Sequence, residues 1–249
     1  MGDGDGKPAW QESDSTTFMD WSRYFVPRRA TQIRIILDLV PNAGAGDGYV
    51  ELCCGEGRLS EALLRARPEA TLLALDGSAA MRRAAAARLA PFGDRACVTA
   101  FDLCGDDWRK LPQVPTDPLA IVSSLAVHHL DDGQKQKLYA DMHNALKPGG
   151  RLIIADLIEH LSPAAKWVAT WTWDESTREA ALEHQGPGDP YQQFMATGWN
   201  YYADPNPDPI DKPSPLLAQL KWLEQAGFIE VDVHWLLAGH AIFSGRKAT

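Results

Sequence analysis

The sequence predicts a doubly wound α/β domain, and three observations carry that prediction. Short apolar runs alternate with helical segments from residue 48 to residue 155. Gly- and Pro-rich breakers separate them, and the same alternation resumes after residue 215. A chain of 249 residues with 45% apolar content suits one such domain with an elaboration. Residues 1–17 are read as a disordered tail and residues 18–249 as the domain, with 161–213 an insertion. No apolar run reaches the roughly 18 residues that span a bilayer, and the opening residues lack a secretory pattern. Gly6 stands where a myristoylation signal needs Ser or Thr. Cys53, Cys54, Cys97 and Cys104 form no C-x-x-C pair, which argues against a metal or disulfide framework and for a reducing cytoplasm. A net charge of −9 argues against a broad nucleic-acid surface.

The elements follow in order. Phe18 to Val40 reads as helical, broken near Pro27. Gly48–Leu52 is a strand, Gly55–Arg67 a helix, Thr71–Leu75 a strand, and Ser78–Leu89 an Ala-rich helix. Cys97–Phe101 and Leu119–Ser124 are the next strands. Asp132–Leu146 is a helix stopped by Lys147-Pro148-Gly149-Gly150, and Arg151–Ala155 is a fifth strand. After Leu161 helical pieces and loops replace the alternation, and five prolines between Asp204 and Pro215 exclude regular structure there. Leu216–Ala226 is a helix ended by Gly227. Ile229–Leu236 and His240–Gly245 then form an antiparallel hairpin.

Chemistry concentrates at the first strand-to-helix turn, Glu51-Leu52-Cys53-Cys54-Gly55-Glu56-Gly57. Glycines there permit unusual φ and let a ligand approach backbone N–H groups at a helix start. Asp76, ending the second strand, lies 21 residues after Gly55, where an acidic side chain can bind both hydroxyls of a ribose. Together these predict a nucleoside-cofactor site. Ser60 supplies the third small residue of a dinucleotide turn, which leaves a nicotinamide oxidoreductase open on these residues alone.

Four segments in order resemble the class I S-adenosylmethionine-dependent methyltransferases. They are Glu51-x-Cys53-Cys54-Gly55-x-Gly57, Asp76-Gly77-Ser78-Ala79-Ala80-Met81, Ser124-Leu125-Ala126-Val127-His128-His129-Leu130 and Leu146-Lys147-Pro148-Gly149-Gly150-Arg151-Leu152. The resemblance implies a Rossmann-like doubly wound sheet of seven strands with an antiparallel last strand, and a helical insertion before the final helix and hairpin. It also implies S-adenosylmethionine as cofactor and S-adenosylhomocysteine as product. Gly55 and Gly57 would approach the methionine part, and Glu51 would shape the turn. Asp76 would hold the ribose, while Gly77 and Met81 pack on the adenine. Asp102 would accept the adenine amine beside the Leu103 N–H, and Ser124 and Leu125 would line the amino-acid end. Segments around Phe18, Arg23 and Pro27, with the insertion, are similar to bacterial tRNA uridine carboxymethyltransferases. That branch binds a carboxylated cofactor through an arginine, and residues 191–213 contain none. Arg23 and Tyr24 are left as candidates to cover the cofactor's carboxylate.

A sulfonium needs little activation, so in-line placement and water exclusion are the main demands. Candidate bases are His128 and Asp156, with His129, Glu159 and His160 behind them. Trp167, Trp171, Trp199, Tyr201 and Tyr202 are expected to line an apolar or cationic acceptor pocket. Aromatics without a basic track suit a small molecule better than RNA. The reading is therefore methyl transfer to a small-molecule acceptor, with no metal and no membrane partner. A tRNA-modifying relative, a nicotinamide oxidoreductase and a cofactor-binding protein without catalysis stand as alternatives. The motifs set neither the acceptor atom nor the oligomeric state.

Overall fold

The computed structural model describes residues 10–249. Helices α1 (Glu12–Phe25) and α2 (Arg29–Leu39) precede strand β1 (Gly48–Leu52). Then come α3 (Arg58–Ala66), β2 (Thr71–Asp76), α4 (Ala79–Leu89), β3 (Ala96–Ala100), β4 (Ala120–Ser124), α5 (Asp132–Ala145) and β5 (Arg151–Leu157). The insertion supplies α6 (Pro163–Ala181) and α7 (Pro190–Ala196), and α8 (Leu216–Gln225), β6 (Ile229–Leu237) and β7 (His240–Arg246) close the chain.

The seven strands form one sheet in the order β3-β2-β1-β4-β5-β7-β6. Strands β1 to β5 pair in parallel, and β7 runs antiparallel to both β5 and β6. Side chains on a strand alternate between faces, and the two core layers follow that period. Val50, Leu52, Leu73 and Leu75 pack with Tyr139 and Met142 of α5 and Leu223 of α8. Tyr49, Leu72 and Ala74 pack on the other face with Ile36 of α2, Leu63 of α3 and Ala85 of α4. Strand order reverses between β1 and β4, so a crevice opens past their carboxyl ends.

Several boundaries differ from the sequence reading. The tail expected over residues 1–17 falls partly outside the described residues, and α1 already begins at Glu12. Its first turn is fixed because Glu12 accepts hydrogen bonds from Ser78 Oγ and from the N–H groups of Ala79 and Ala80, capping α4. Helix α3 starts at Arg58 rather than Gly55, because Gly55 and Gly57 take φ values of +56° and +80°. Strand β5 runs on to Leu157 and so carries Asp156 in the sheet. A third apolar cluster joins the insertion to α1: Phe25, Trp173 and Phe194 are among its buried members, with Trp199 packed against it.

Candidate active site

The crevice is built from turns in unusual conformations. Cys53 and Leu125, the residues that follow β1 and β4, have φ values of +57° and +58°. Left-handed non-glycine residues cost about 1–3 kcal/mol each and concentrate at functional sites. Asp76 accepts the Gly55 N–H at 2.8 Å through one carboxylate oxygen and the Ser78 N–H at 2.9 Å through the other. It ties the β1 turn to the β2 turn. Burial raises its pKa despite those bonds. A carboxylate has about four acceptor positions, so capacity is left for a diol.

The fit of a nucleoside is testable at Gly55 and Met81. A Cβ on Gly55 would meet only Met81 Sδ, at 3.8 Å, so the space over the turn is open. Gly57 differs, since its Cβ would press on Ala85 at 3.2 Å, so this glycine serves the packing of α3 against α4. Gly77 precedes the Ser78 cap of α4, and Met81 is buried on that helix. Asp102 is exposed past β3 and accepts the Cys104 N–H, while Leu103 packs against the core.

The other end of the crevice is polar and cationic. Glu51 is buried on β1, takes a hydrogen bond from Ser60 Oγ, and burial raises its pKa to about 7. Arg29 of α2 donates to Ser124 Oγ at 2.6 Å. Burial lowers its pKa to about 10, which leaves it charged at neutral pH. Among the described residues no carboxylate stands within ion-pair distance of Arg29. A half-buried guanidinium in that state suits an anionic ligand group. Arg23 and Tyr24 are placed elsewhere: Arg23 is exposed over the Tyr24 ring, and the Tyr24 hydroxyl meets His184 of the insertion.

A cavity of about 600 Å³ has Leu125 and His128 in its lining. Trp199 and Tyr201 line it, joined by Trp10, Phe18, Trp173 and His240. Trp167 and Trp171 do not: they stand 68% and 43% exposed on the outer face of α6. Tyr202 is structural, its hydroxyl donating to the carbonyls of Ile158 and Gly239.

His128 sits at the mouth of that cavity, 6% exposed. Its Nδ1 lies 2.5 Å from Asp156 Oδ1, its backbone N–H donates to Asp156 Oδ2 at 2.8 Å, and its Nε2 is 3.4 Å from Asp211. Burial pushes the imidazole down, but the two carboxylates outweigh it and hold its pKa at about 10. A histidine that keeps its proton at neutral pH is a poor general base. His240 is the reverse, pushed down to about 4 by burial. Asp211, Arg29, Trp10 and Phe18 were not reached from the sequence. The Arg28-Arg29 pair at a helix start was a usable signal, whereas Asp211 meets His128 only through long-range packing.

Comparison with known proteins supports a methyltransferase domain in the central part of the chain. Residues 50–150 match the pattern of a methyltransferase domain family. That stretch is similar to a methyltransferase domain. An uncharacterized methyltransferase of Bacillus pumilus is 33% identical over 113 residues, which is 45% of this chain and 47% of that protein. One from Geobacillus thermodenitrificans is 34% identical over 112 residues, with the same coverage. The chain thus spans about half the length of the curated relatives it matches. Among solved structures, a family 2 O-methyltransferase from Planctomyces limnophilus in complex with apigenin superposes with a TM-score of 0.60 at 17% identity, covering 95% of this chain and 61% of that one. Phosphoethanolamine N-methyltransferase 2 of Haemonchus contortus gives 0.62 at 14% identity, covering 94% and 57%. These similarities establish the same fold around the methyltransferase crevice. Among the described residues no helix is long and apolar enough to cross a membrane.

Proposed function

We propose that this methyltransferase domain moves the methyl group of S-adenosylmethionine to a small-molecule acceptor held in the 600 Å³ cavity. The observation that carries the reading is adjacency: Ser124, which takes the Arg29 hydrogen bond, is followed directly by Leu125, which lines that cavity. The cofactor, when bound, supplies a sulfonium methyl that is already a good electrophile. Asp76 would accept the ribose hydroxyls, and Gly55 would leave room above the turn. Arg29 would pair with the carboxylate of the amino-acid end, with Ser124 fixing the guanidinium. Orientation of the acceptor by the aromatic walls could contribute up to about 7–11 kcal/mol of barrier lowering. His128 lines the cavity, and Asp156 holds that histidine in place through its two hydrogen bonds. The lining contains no Lys or Arg among the described residues, which supports a small molecule over a nucleic acid.

The test is incubation with methyl-labelled S-adenosylmethionine and a small-molecule extract, followed by mass identification of labelled products. A labelled small molecule supports the reading. Label on RNA alone, or on nothing despite bound cofactor, overturns it.

A further inference from the structure

We infer that the acceptor carries an organic ammonium group, recognised by the aromatic and acidic walls of the cavity. This rests on the acceptor site proposed above and deepens it.

Four aspartates line the cavity: Asp14 on α1, and Asp204, Asp208 and Asp211 on the proline-rich loop. No lysine or arginine lines it among the described residues. Asp211 is matched by His128 and His129. Asp14, Asp204 and Asp208 accept only backbone N–H groups, from Gln11, Asn206 and Ile210, and none has an ion-pair partner among the described residues. Asp156 stands behind His128 and cancels its charge. The walls are therefore net negative even with that imidazole protonated. A cavity with one sign of charge concentrates ligands of the other sign.

Aromatic rings supply the second, independent observation. Trp10, Phe18, Trp173, Trp199 and Tyr201 line the same space from two helices, the segment before α1 and the loop after α7. Some of them pack against other rings: Phe18 lies 6.3 Å from Trp199, and Trp10 lies 5.7 Å from the His129 ring. Ring faces attract ammonium ions, most strongly for Trp, by about 0.5–2 kcal/mol per site as desolvation increases. An anionic acceptor would meet both the carboxylates and the negative ring faces. A neutral acceptor would leave these carboxylate charges without a counter-ion among the described residues.

The test uses calorimetry on the full chain loaded with S-adenosylhomocysteine, titrated with benzyltrimethylammonium and with 3-phenylpropionate, which share an aromatic body and differ in charge. The cation should bind, and the carboxylate should bind at least about tenfold more weakly. A D204N/D208N double variant, both changes on exposed loop positions, should lose about fivefold or more of the cation's affinity while keeping that for S-adenosylhomocysteine. Trp199→Leu should weaken the cation and leave the carboxylate unchanged. Equal binding of the two probes, no binding of the cation, or an unaffected double variant overturns the inference. Loss of S-adenosylhomocysteine binding by the unmodified chain would instead remove the methyl-transfer reading itself.

Discussion

His128 and Asp156 form a buried bidentate pair: the Asp156 carboxylate takes the imidazole Nδ1 on one oxygen and the His128 backbone N–H on the other, at 2.5 and 2.8 Å. The pair joins the ends of β4 and β5, and Asp211 extends it to the loop over the cavity. Nearly complete burial makes this a charge cluster that must stay matched.

That pairing sets an alkaline limit on stability. Folding raises the His128 pKa from 6.5 to about 10. Between those values the folded chain holds the proton that the unfolded chain releases, so stability is full below pH 6.5 and falls as pH rises toward 10. Glu51 adds a separate loss between 4.5 and about 7, because burial raises its pKa. Urea unfolding from pH 7 to pH 10 should therefore show declining stability, with the decline flattened in His128→Gln. Asp156→Ala should cost about 3–5 kcal/mol at neutral pH by leaving the imidazolium unmatched.

Arg29 and Asp76 are expected to grip opposite ends of the cofactor. Arg29→Met should weaken S-adenosylhomocysteine by about tenfold to a hundredfold, the loss of one charge-assisted contact. It should leave 5′-methylthioadenosine, which has no amino-acid group, unaffected. Calorimetric titration of both ligands separates the outcomes, and an equal loss for both would place Arg29 elsewhere.

The two turn glycines should respond differently to alanine. Gly57→Ala combines a φ of +80° with contact on Ala85 at 3.2 Å, so it should destabilise the fold by about 1–3 kcal/mol. Gly55→Ala carries the same kind of strain at φ +56° but meets only Met81 Sδ at 3.8 Å, so it should destabilise less, and its larger effect should fall on ligand affinity. Thermal unfolding with and without S-adenosylhomocysteine distinguishes the two.

The sheet and the glycine turn were legible because their signals are local. Strand alternation is a period within a few residues, and Gly55 to Asp76 is a fixed spacing across one βαβ unit. The acceptor wall was not legible in the same way. Trp167 and Trp171 sit four apart on α6 and share its outward face, while Trp173 lies about 200° around the helix from Trp171 and points inward. Composition gives the number of rings but not which stripe meets the core. Trp10 escaped because Met1 to Thr17 lacks an apolar run, yet the α1 it precedes is held through Glu12 on α4. Asp211 escaped because its partner is 83 residues away in the chain.

The account stands on Asp76 as the ribose anchor of a bound S-adenosyl group. Calorimetry should give one-to-one binding of S-adenosylhomocysteine to the unmodified chain, weakened about tenfold or more in a folded Asp76→Ala variant. No binding to the unmodified chain, or unchanged affinity in the variant, would contradict it.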